Sequence, residues 1–414
     1  MSLPGHPGLR RRPARGAGTA PARTRPSTAR VLAVTLLLQF CFGLVYVWGV
    51  LAPAVRREGW PPLLLGSVWS AAPAGWILGI IVSGRMADRL PPRRLCWASL
   101  GIAGVGFAVA MALPNGITLP LFYTGLGLGL GGSFAMAGSL AAGASVLPAR
   151  VGTVGGALTG AYALAALVQI PAASLLLPRL GWEGTLRTLV GALWLLAAAG
   201  LVLLPGLPRP APRTEGPTVP FRRLVRRPLV VTSLLFQLAT APLGAYGFVF
   251  LPTYAHARGG PAWLAPAALA AVAAGNAAGR LGAGAISDHL GLGRLLAGIV
   301  ACDVAAACLL LLGPAPAALI PSSLVAGLGF GGPAGAISRL GTQAAPDAPS
   351  SAIGLTFAGY SSGSALGPLV GAALGPPLSW AVLGACSLAG LALLAVRSRA
   401  TGGASEGSDE SSAA

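Results

Sequence analysis

The sequence contains no lysine; all 28 of its basic residues are arginine. Charge of either sign is scarce, at 9% of 414 residues, and only 10 residues are acidic. Soluble domains carry about a quarter charged residues, so a chain that is 54% hydrophobic has too little polar surface to coat them. The same apolar content excludes disorder and collagen. The three histidines (His6, His256, His289) fall in the tail and loops and cannot build an intramembrane metal site. Cys41, Cys96, Cys302, Cys308 and Cys386 lie inside apolar runs at no metal spacing and read as small buried hydrophobes rather than disulfides. Neither a cofactor nor a metal is expected, and the chain does not read as an enzyme.

What is present is glycine, proline and long apolar runs: 61 glycines, 36 prolines and a mean hydropathy of +0.74. The Ala, Gly, Pro and Arg excess is that of a GC-rich genome. A net charge of +18 would suggest nucleic acid on a soluble fold, but the arginines fall between the apolar runs, so no nucleic-acid partner is expected. The partner is the lipid bilayer.

A window of about 20 residues, the length that crosses roughly 30 Å of hydrocarbon, finds two sets of six runs. The first set covers 31–54, 62–83, 95–114, 117–140, 151–177 and 188–206; the second covers 229–252, 264–284, 294–313, 317–338, 351–374 and 378–396. In lipid these runs must be helices, because the backbone has no water to bond. The expected fold is an all-α membrane protein with twelve transmembrane helices in two pseudo-symmetric six-helix bundles. Its expected parts are a disordered basic tail over 1–30, bundles over 31–206 and 229–396, a linker over 207–228 and a disordered tail over 397–414. Arg10-Arg11-Arg12-Pro13 imitates a twin-arginine export signal, but the apolar stretch behind it is of full membrane length and lacks a cleavage site. With both termini cytoplasmic, 22 arginines lie inside and five outside (Arg56, Arg57, Arg179, Arg187, Arg258). A cell membrane, the bacterial inner membrane, is the expected location.

The halves repeat with an offset of 200. Gly-Leu-Gly-Leu-Gly-Gly at 127–132 returns as Gly-Leu-Gly-Phe-Gly-Gly at 327–332, and Gly84 to Arg89 returns as Gly284 to His289, with Arg94 matching Arg294. Parallel six-span repeats are a transporter signature, since two bundles can rock about a site between them. The glycine run lies within an apolar span, so it is read as a close helix approach and not as a phosphate loop.

Gly84-x-Met-Ala-Asp88-Arg89-x-x-x-Arg93-Arg94 resembles the loop signature of the major facilitator superfamily, and Gly284-x-Ile-Ser-Asp288-His-x-Gly291-x-x-Arg294 resembles its second copy. Pro91 and Pro92 stand where the family usually has glycine and a basic residue. The resemblance implies that Gly84, Asp88, Arg89, Arg94, Gly284, Asp288 and Arg294 form conformational latches rather than substrate contacts.

The repeat breaks at one place. Gly75-Trp76-Ile77-Leu78-Gly79-Ile80 aligns with Gly275-Asn276-Ala277-Ala278-Gly279-Arg280, so Trp76 becomes Asn276 and Ile80 becomes Arg280. Four residues apart, Asn276 and Arg280 share a helix face. Arg280 is eight residues before Asp288, roughly 12 Å into the span. A central arginine costs about 2.5 to 3.5 kcal/mol even on the lowest insertion scale, so it should face a wet cavity or a partner. Its forked donors suit a carboxylate. The alternatives are a permanent ion pair with Asp303, which returns to a similar depth across the hairpin, or a protonatable Asp303 that couples transport.

Tyr46-Val47-Trp48 together with Asn276-x-x-x-Arg280 and Ser287-Asp288 resembles the oxalate/formate antiporter branch, related to the monocarboxylate porters. That resemblance implies Arg280 as the carboxylate ligand and Tyr46, Trp48, Tyr123 and Tyr360 as cavity-lining aromatics. Oxalate carriers add a lysine in the eleventh helix, whereas 351–375 holds no charge here, so a single fixed cation favours a small monocarboxylate over a dianion. The basic residue that proton-coupled relatives carry in the first helix is also absent from 31–54, leaving a proton or a counter-anion as the coupling partner. The expected function is secondary transport of a small organic anion by alternating access. The alternative is an efflux carrier for drugs or other amphiphiles. A receptor would need a signalling domain, for which tails of 30 and 18 residues are short.

Overall fold

The computed structural model describes residues 27–87, 89–207, 219–312 and 316–410. The expected basic tail up to residue 26, most of the linker, Asp88 and the last four residues lie outside the described residues. Among the described residues there is no strand. We label the helices α1 (Thr28–Arg57), α2 (Pro62–Ala87), α3 (Pro92–Ala112) and α4 (Leu119–Val146), then α5 (151–180) and α6 (182–202). The second half follows as α7 (Pro228–Ala257), α8 (Leu264–Leu290), α9 (Leu292–Leu312), α10 (Leu319–Ala344), α11 (Pro349–Leu374) and α12 (Pro376–Glu410).

Among the described residues, nine helical segments are long and apolar enough to cross a bilayer. One of them, Thr153–Val202, carries the break between α5 and α6 at Gly181, whose φ of 67° and ψ of 178° only glycine adopts readily. A ten-residue loop was expected there; instead Arg179 and Arg187 are helical on either side of a one-residue break. The two helices that fall short in apolarity are α8 and α11, which carry polar residues such as Asn276, Arg280, Thr356 and Ser361 among small ones. The outward faces suit lipid: Leu175 and Leu312 are 74% and 79% exposed. The chain is a multi-pass membrane protein.

Three differences from expectation have local causes. The final helix continues to Glu410 instead of ending near residue 396, since no proline after Pro377 interrupts it. His256 and His289 sit in the last turns of α7 and α8 rather than in loops. All five cysteines are free, but Cys308 is exposed on the outer face of α9 rather than buried.

The glycines set the packing. A Cβ at Gly129 would sit 2.9 Å from the Cα of Gly75, and one at Gly327 would sit 2.9 Å from the Cα of Gly275. The α2–α4 and α8–α10 contacts are therefore the same contact made twice, helix backbone on helix backbone. α4 is wound as a π-helix over Leu119–Leu130, where its glycines crowd α2 and α3. Polar ties repeat as well: Gln39 of α1 donates to Ser139 of α4 at 3.2 Å, and Gln237 of α7 donates to the Pro333 carbonyl of α10 at 2.8 Å. Because Gly327 has no room for a side chain, Gly327→Ala should destabilise the fold by about 1 to 3 kcal/mol through overpacking. A thermal melt of the detergent-purified protein reads this as a lower midpoint; an unchanged midpoint would mean that α8 and α10 do not touch there.

The bundles meet at both ends. Toward the end that carries the α2–α3 and α8–α9 turns, called the near end, Leu281 of α8, one residue past Arg280, lies against Gly160 of α5. At the opposite, far end, Gly66 of α2 lies against the Pro368 carbonyl of α11, and Gly49 of α1 against the Phe248 carbonyl of α7. Also at the near end, both guanidinium nitrogens of Arg227 donate to Asp347, Nη2 to Oδ2 at 2.7 Å, tying the start of α7 to the α10–α11 turn. The hydrogen bonds from Arg227 hold the Asp347 carboxyl below its ordinary range. A depressed carboxylate stabilises above its unfolded value of about 4 and loses that contribution as pH falls toward the folded value. Wild type should lose thermal stability across that window, whereas Asp347→Asn should lose less; identical pH profiles would remove the tie.

Candidate functional site

Arg280 lies ten residues from the end of α8, about 15 Å along the helix axis. Gly275 and Gly279 turn the small face of α8 onto Leu328, Gly331 and Gly332 of α10, and a Cβ at Gly331 would overlap the Asn276 carbonyl. With that face gripped by glycine, the adjoining face bearing Asn276 and Arg280 points between the bundles.

There the polar groups form one chain. Asn276 Nδ2 donates to the Tyr46 hydroxyl at 3.1 Å, and Arg280 Nε donates to Asn276 Oδ1 at 3.1 Å. Arg280 Nη2 donates to the Tyr360 hydroxyl at 3.3 Å, and that hydroxyl donates on to the Phe330 carbonyl at 3.3 Å. The guanidinium also lies 5.9 Å from the centroid of the Tyr360 ring. Helices α1, α8, α10 and α11 are thus joined through one arginine, and the Asn276–Tyr46 bond crosses between the bundles. Tyr46 sits on a tightened turn, Gly43–Val47, inside α1, the type of local rewinding that marks a hinge.

Among the described residues the hydrogen-bond partners of Arg280, Asn276 and Tyr360, are neutral. Among the described residues no carboxylate comes within ion-pairing distance of it; the ion pairs there are Arg187–Glu183 and Arg227–Asp347. Two of its five N–H donors are spent on neutral oxygens, which leaves charge and donors for a ligand. Asp303 lies elsewhere. It is fully buried on α9, accepts a 2.8 Å bond from Ser387 Oγ of α12, and turns its other oxygen, which has no donor, toward Gly329 of α10.

The structure gathers four of the six expected lining residues: Arg280, Asn276, Tyr46 and Tyr360. The other two stand apart. Trp48 is buried between α1 and α2 with its indole N–H on the Leu65 carbonyl at 2.8 Å, and Tyr123 is buried against Phe107 and donates to the Leu44 carbonyl at 3.4 Å. Trp48 is two residues from Tyr46 on a helix, so its side chain points away from the one that reaches Asn276. Of the loop residues, Arg89, Arg94 and Arg294 are exposed and Gly84 has open space about it; Asp88, the surroundings of Gly284 and the side chain of Asp288 lie outside what the structure describes.

The site also holds aromatic rings that sequence reading missed. Tyr162 of α5 contacts Tyr46 at 5.7 Å and Trp76 of α2 at 6.1 Å, and Trp76 reaches Phe357 of α11 at 5.6 Å. Phe248 of α7 lies 4.7 Å from Tyr46 and stacks on Trp69 of α2 at 5.4 Å. Rings from α1, α2, α5, α7 and α11 therefore surround the position that Arg280 charges.

Packed helices that close on a half-buried charge form the architecture of a membrane transporter. Residues 31–368 match the model of the Major Facilitator Superfamily, and the chain belongs to that family. It is similar to the 4-hydroxybenzoate transporter PcaK of Pseudomonas putida, 36% identical over 107 residues; the match spans about a quarter of each chain, 25% of this one and 24% of the relative. Among solved structures it is similar in fold to the nucleoside transporter NupG (TM-score 0.70, 12% identity, 89% of this chain and 98% of that one) and to a point mutant of that transporter (TM-score 0.71, 14% identity, 89% and 99%). A bacterial homolog of the human lysosomal transporter Spinster, in an inward-facing and unoccupied conformation, is also similar (TM-score 0.65, 16% identity, 90% and 96%).

Proposed function

We propose that this protein is a secondary active transporter that carries a small organic anion, a monocarboxylate, across the cell membrane by alternating access. One observation carries the reading: a guanidinium in mid-span whose partners, Asn276 and Tyr360, are both uncharged. A carboxylate would neutralise it with forked hydrogen bonds in a setting of low dielectric, where such pairs are strong. A dianion would bring a second charge for which 351–375 offers no cation. The similarity to a carrier named for 4-hydroxybenzoate, itself a monocarboxylate, supports the same chemistry.

In this reading the chain crosses the membrane twelve times, both termini are cytoplasmic in a bacterial inner membrane, and bundles 31–206 and 229–396 rock about the Arg280 site through a linker at 207–228. Arg280 and Asn276 bind the carboxylate, with Tyr46 and Tyr360 beside them. The loop residues Gly84, Asp88, Arg89, Arg94, Gly284, Asp288 and Arg294 latch the cytoplasmic ends. Asp303, held by Ser387 away from the anion, braces α9 against α12, and the coupling partner is a proton or a counter-anion. The aromatic rings favour a second reading, an efflux carrier for amphiphilic solutes, which Arg280 opposes unless those solutes are anionic.

Counterflow of radiolabelled lactate, formate and oxalate in proteoliposomes, with and without a pH gradient, tests the proposal. Exchange of a monocarboxylate that exceeds that of oxalate is the expected result. Transport confined to hydrophobic cations would replace it with the efflux reading.

A further inference from the structure

One donor in the centre of the molecule has nothing to bond. Trp69 of α2 is 3% exposed, yet its indole N–H has no acceptor. The neighbouring indoles do better: those of Trp48, Trp76, Trp182 and Trp194 donate to Leu65, Leu128, Glu58 and Leu100. Among the buried indoles of the described residues only that of Trp380 shares the defect, and it lies between α7 and α12 against Tyr246 and Tyr254, away from the site; the hydroxyl of Ser70, next to Trp69, is likewise buried without a partner. A buried donor left unpaired carries a desolvation penalty, so its persistence at a binding site points to a partner that arrives with the ligand.

Its position says what that ligand must be. The Trp69 ring lies 5.7 Å from the Tyr46 ring and stacks on Phe248 with an angle of 12° between the planes. An N–H lies in the plane of its ring, so stacking leaves the donor free at the edge. Tyr46 is the shared neighbour: its hydroxyl takes the bond from Asn276, which in turn takes the bond from Arg280. Arg280 and Trp69 therefore flank Tyr46, the first linked to its hydroxyl through Asn276 and the second beside its ring. The rings gathered about Tyr46, those of Trp69, Tyr162 and Phe248, offer flat π faces, which favour a flat body through offset or edge-to-face packing. A ligand with two or three aliphatic carbons would pair Arg280 but leave the Trp69 donor empty.

We infer that the transported anion is an aromatic monocarboxylate bearing a hydrogen-bond acceptor remote from its carboxylate, and that Trp69 is the specificity-determining residue that reads that acceptor. The inference rests on the monocarboxylate reading of Arg280 and names its substrate class.

Calorimetric titration of the purified full-length protein with 4-hydroxybenzoate, 4-methylbenzoate, benzoate and acetate tests it. 4-Hydroxybenzoate should bind about five- to tenfold tighter than 4-methylbenzoate, which has similar bulk and no acceptor, as one hydrogen bond to a buried donor would give. Trp69→Phe should bring the two to equal affinity. Equal affinities for the hydroxy and methyl compounds in wild type, which needs no variant to fold, would overturn the role of Trp69. Acetate binding as tightly as benzoate would overturn the aromatic class and leave the Arg280 reading in place. Binding of none of the four would overturn the aromatic class, and the monocarboxylate reading would then stand or fall on counterflow of lactate and formate.

Discussion

Replacing Arg280 by glutamine should abolish anion binding while the protein still folds. Glutamine keeps a donor and an acceptor near Asn276 and Tyr360, so the chain of hydrogen bonds that joins α8 to α1 and α11 can re-form. It also removes a cation that costs about 2.5 to 3.5 kcal/mol to hold in mid-span, so stability should hold or rise. Affinity behaves oppositely. Removing one member of a buried charge pair costs about 3 to 5 kcal/mol, or roughly two to four orders of magnitude in the dissociation constant. Arg280→Lys keeps the charge but loses the planar fork, and should fall between the two, about ten- to a hundredfold weaker than wild type. Equilibrium titration beside a thermal melt separates the outcomes: lost binding with a preserved melt supports the anion site, whereas lost binding with a collapsed melt would make Arg280 a structural residue.

The residues behind that prediction were only partly legible in the sequence. Arg280 and Asn276 stood out because the repeat sets Ile80 and Trp76 opposite them, and a charge in an apolar run has few explanations. Tyr46 and Tyr360 came with the family resemblance. Trp48 came with it too, and two residues of separation on a helix were enough to send its indole to Leu65 instead of to the site. Tyr162 was missed because 151–177 carries no charged residue to mark a site, and a lone tyrosine in so apolar a span reads equally as packing. Trp69 carried a weaker signal, seven residues before Trp76 and so on one face of α2, but in so apolar a helix that spacing reads equally as core. The break at Gly181 had a signal as well: Gly181 follows Pro178 closely, and one residue of positive φ turns the chain without a loop.

Gly49→Leu should stop transport while leaving binding in place. Gly49 of α1 packs directly on the Phe248 carbonyl and on Leu269, at the far end where the two bundles close. A side chain of four carbons there cannot be absorbed by the backbone it meets, and overpacking of this kind costs about 1 to 3 kcal/mol or more. If the bundles separate at that end during each cycle, the wedge penalises only the state that closes it, and about 3 kcal/mol would cut that state's population by roughly a hundredfold. The open state keeps Arg280 and Asn276 in place. Counterflow should therefore fall by about two orders of magnitude, following the population of the closed state. Titration should still register the anion. Unchanged counterflow would show that α1 and α7 need not close for transport; loss of both signals together would place Gly49 in the folding core instead.

The central claim is that one positive charge, unneutralised by the protein, receives one negative charge. It is tested most directly by titrating wild type with the monocarboxylate that counterflow identifies, the neutral amide of that acid, and the dicarboxylate of the same carbon skeleton. The amide matches the acid in shape and lacks only the charge, so the account predicts binding at least about a hundredfold weaker for it, with the dicarboxylate also weaker than the monocarboxylate. Equal affinity for acid and amide would contradict the account, because Arg280 would then contribute nothing that its charge supplies.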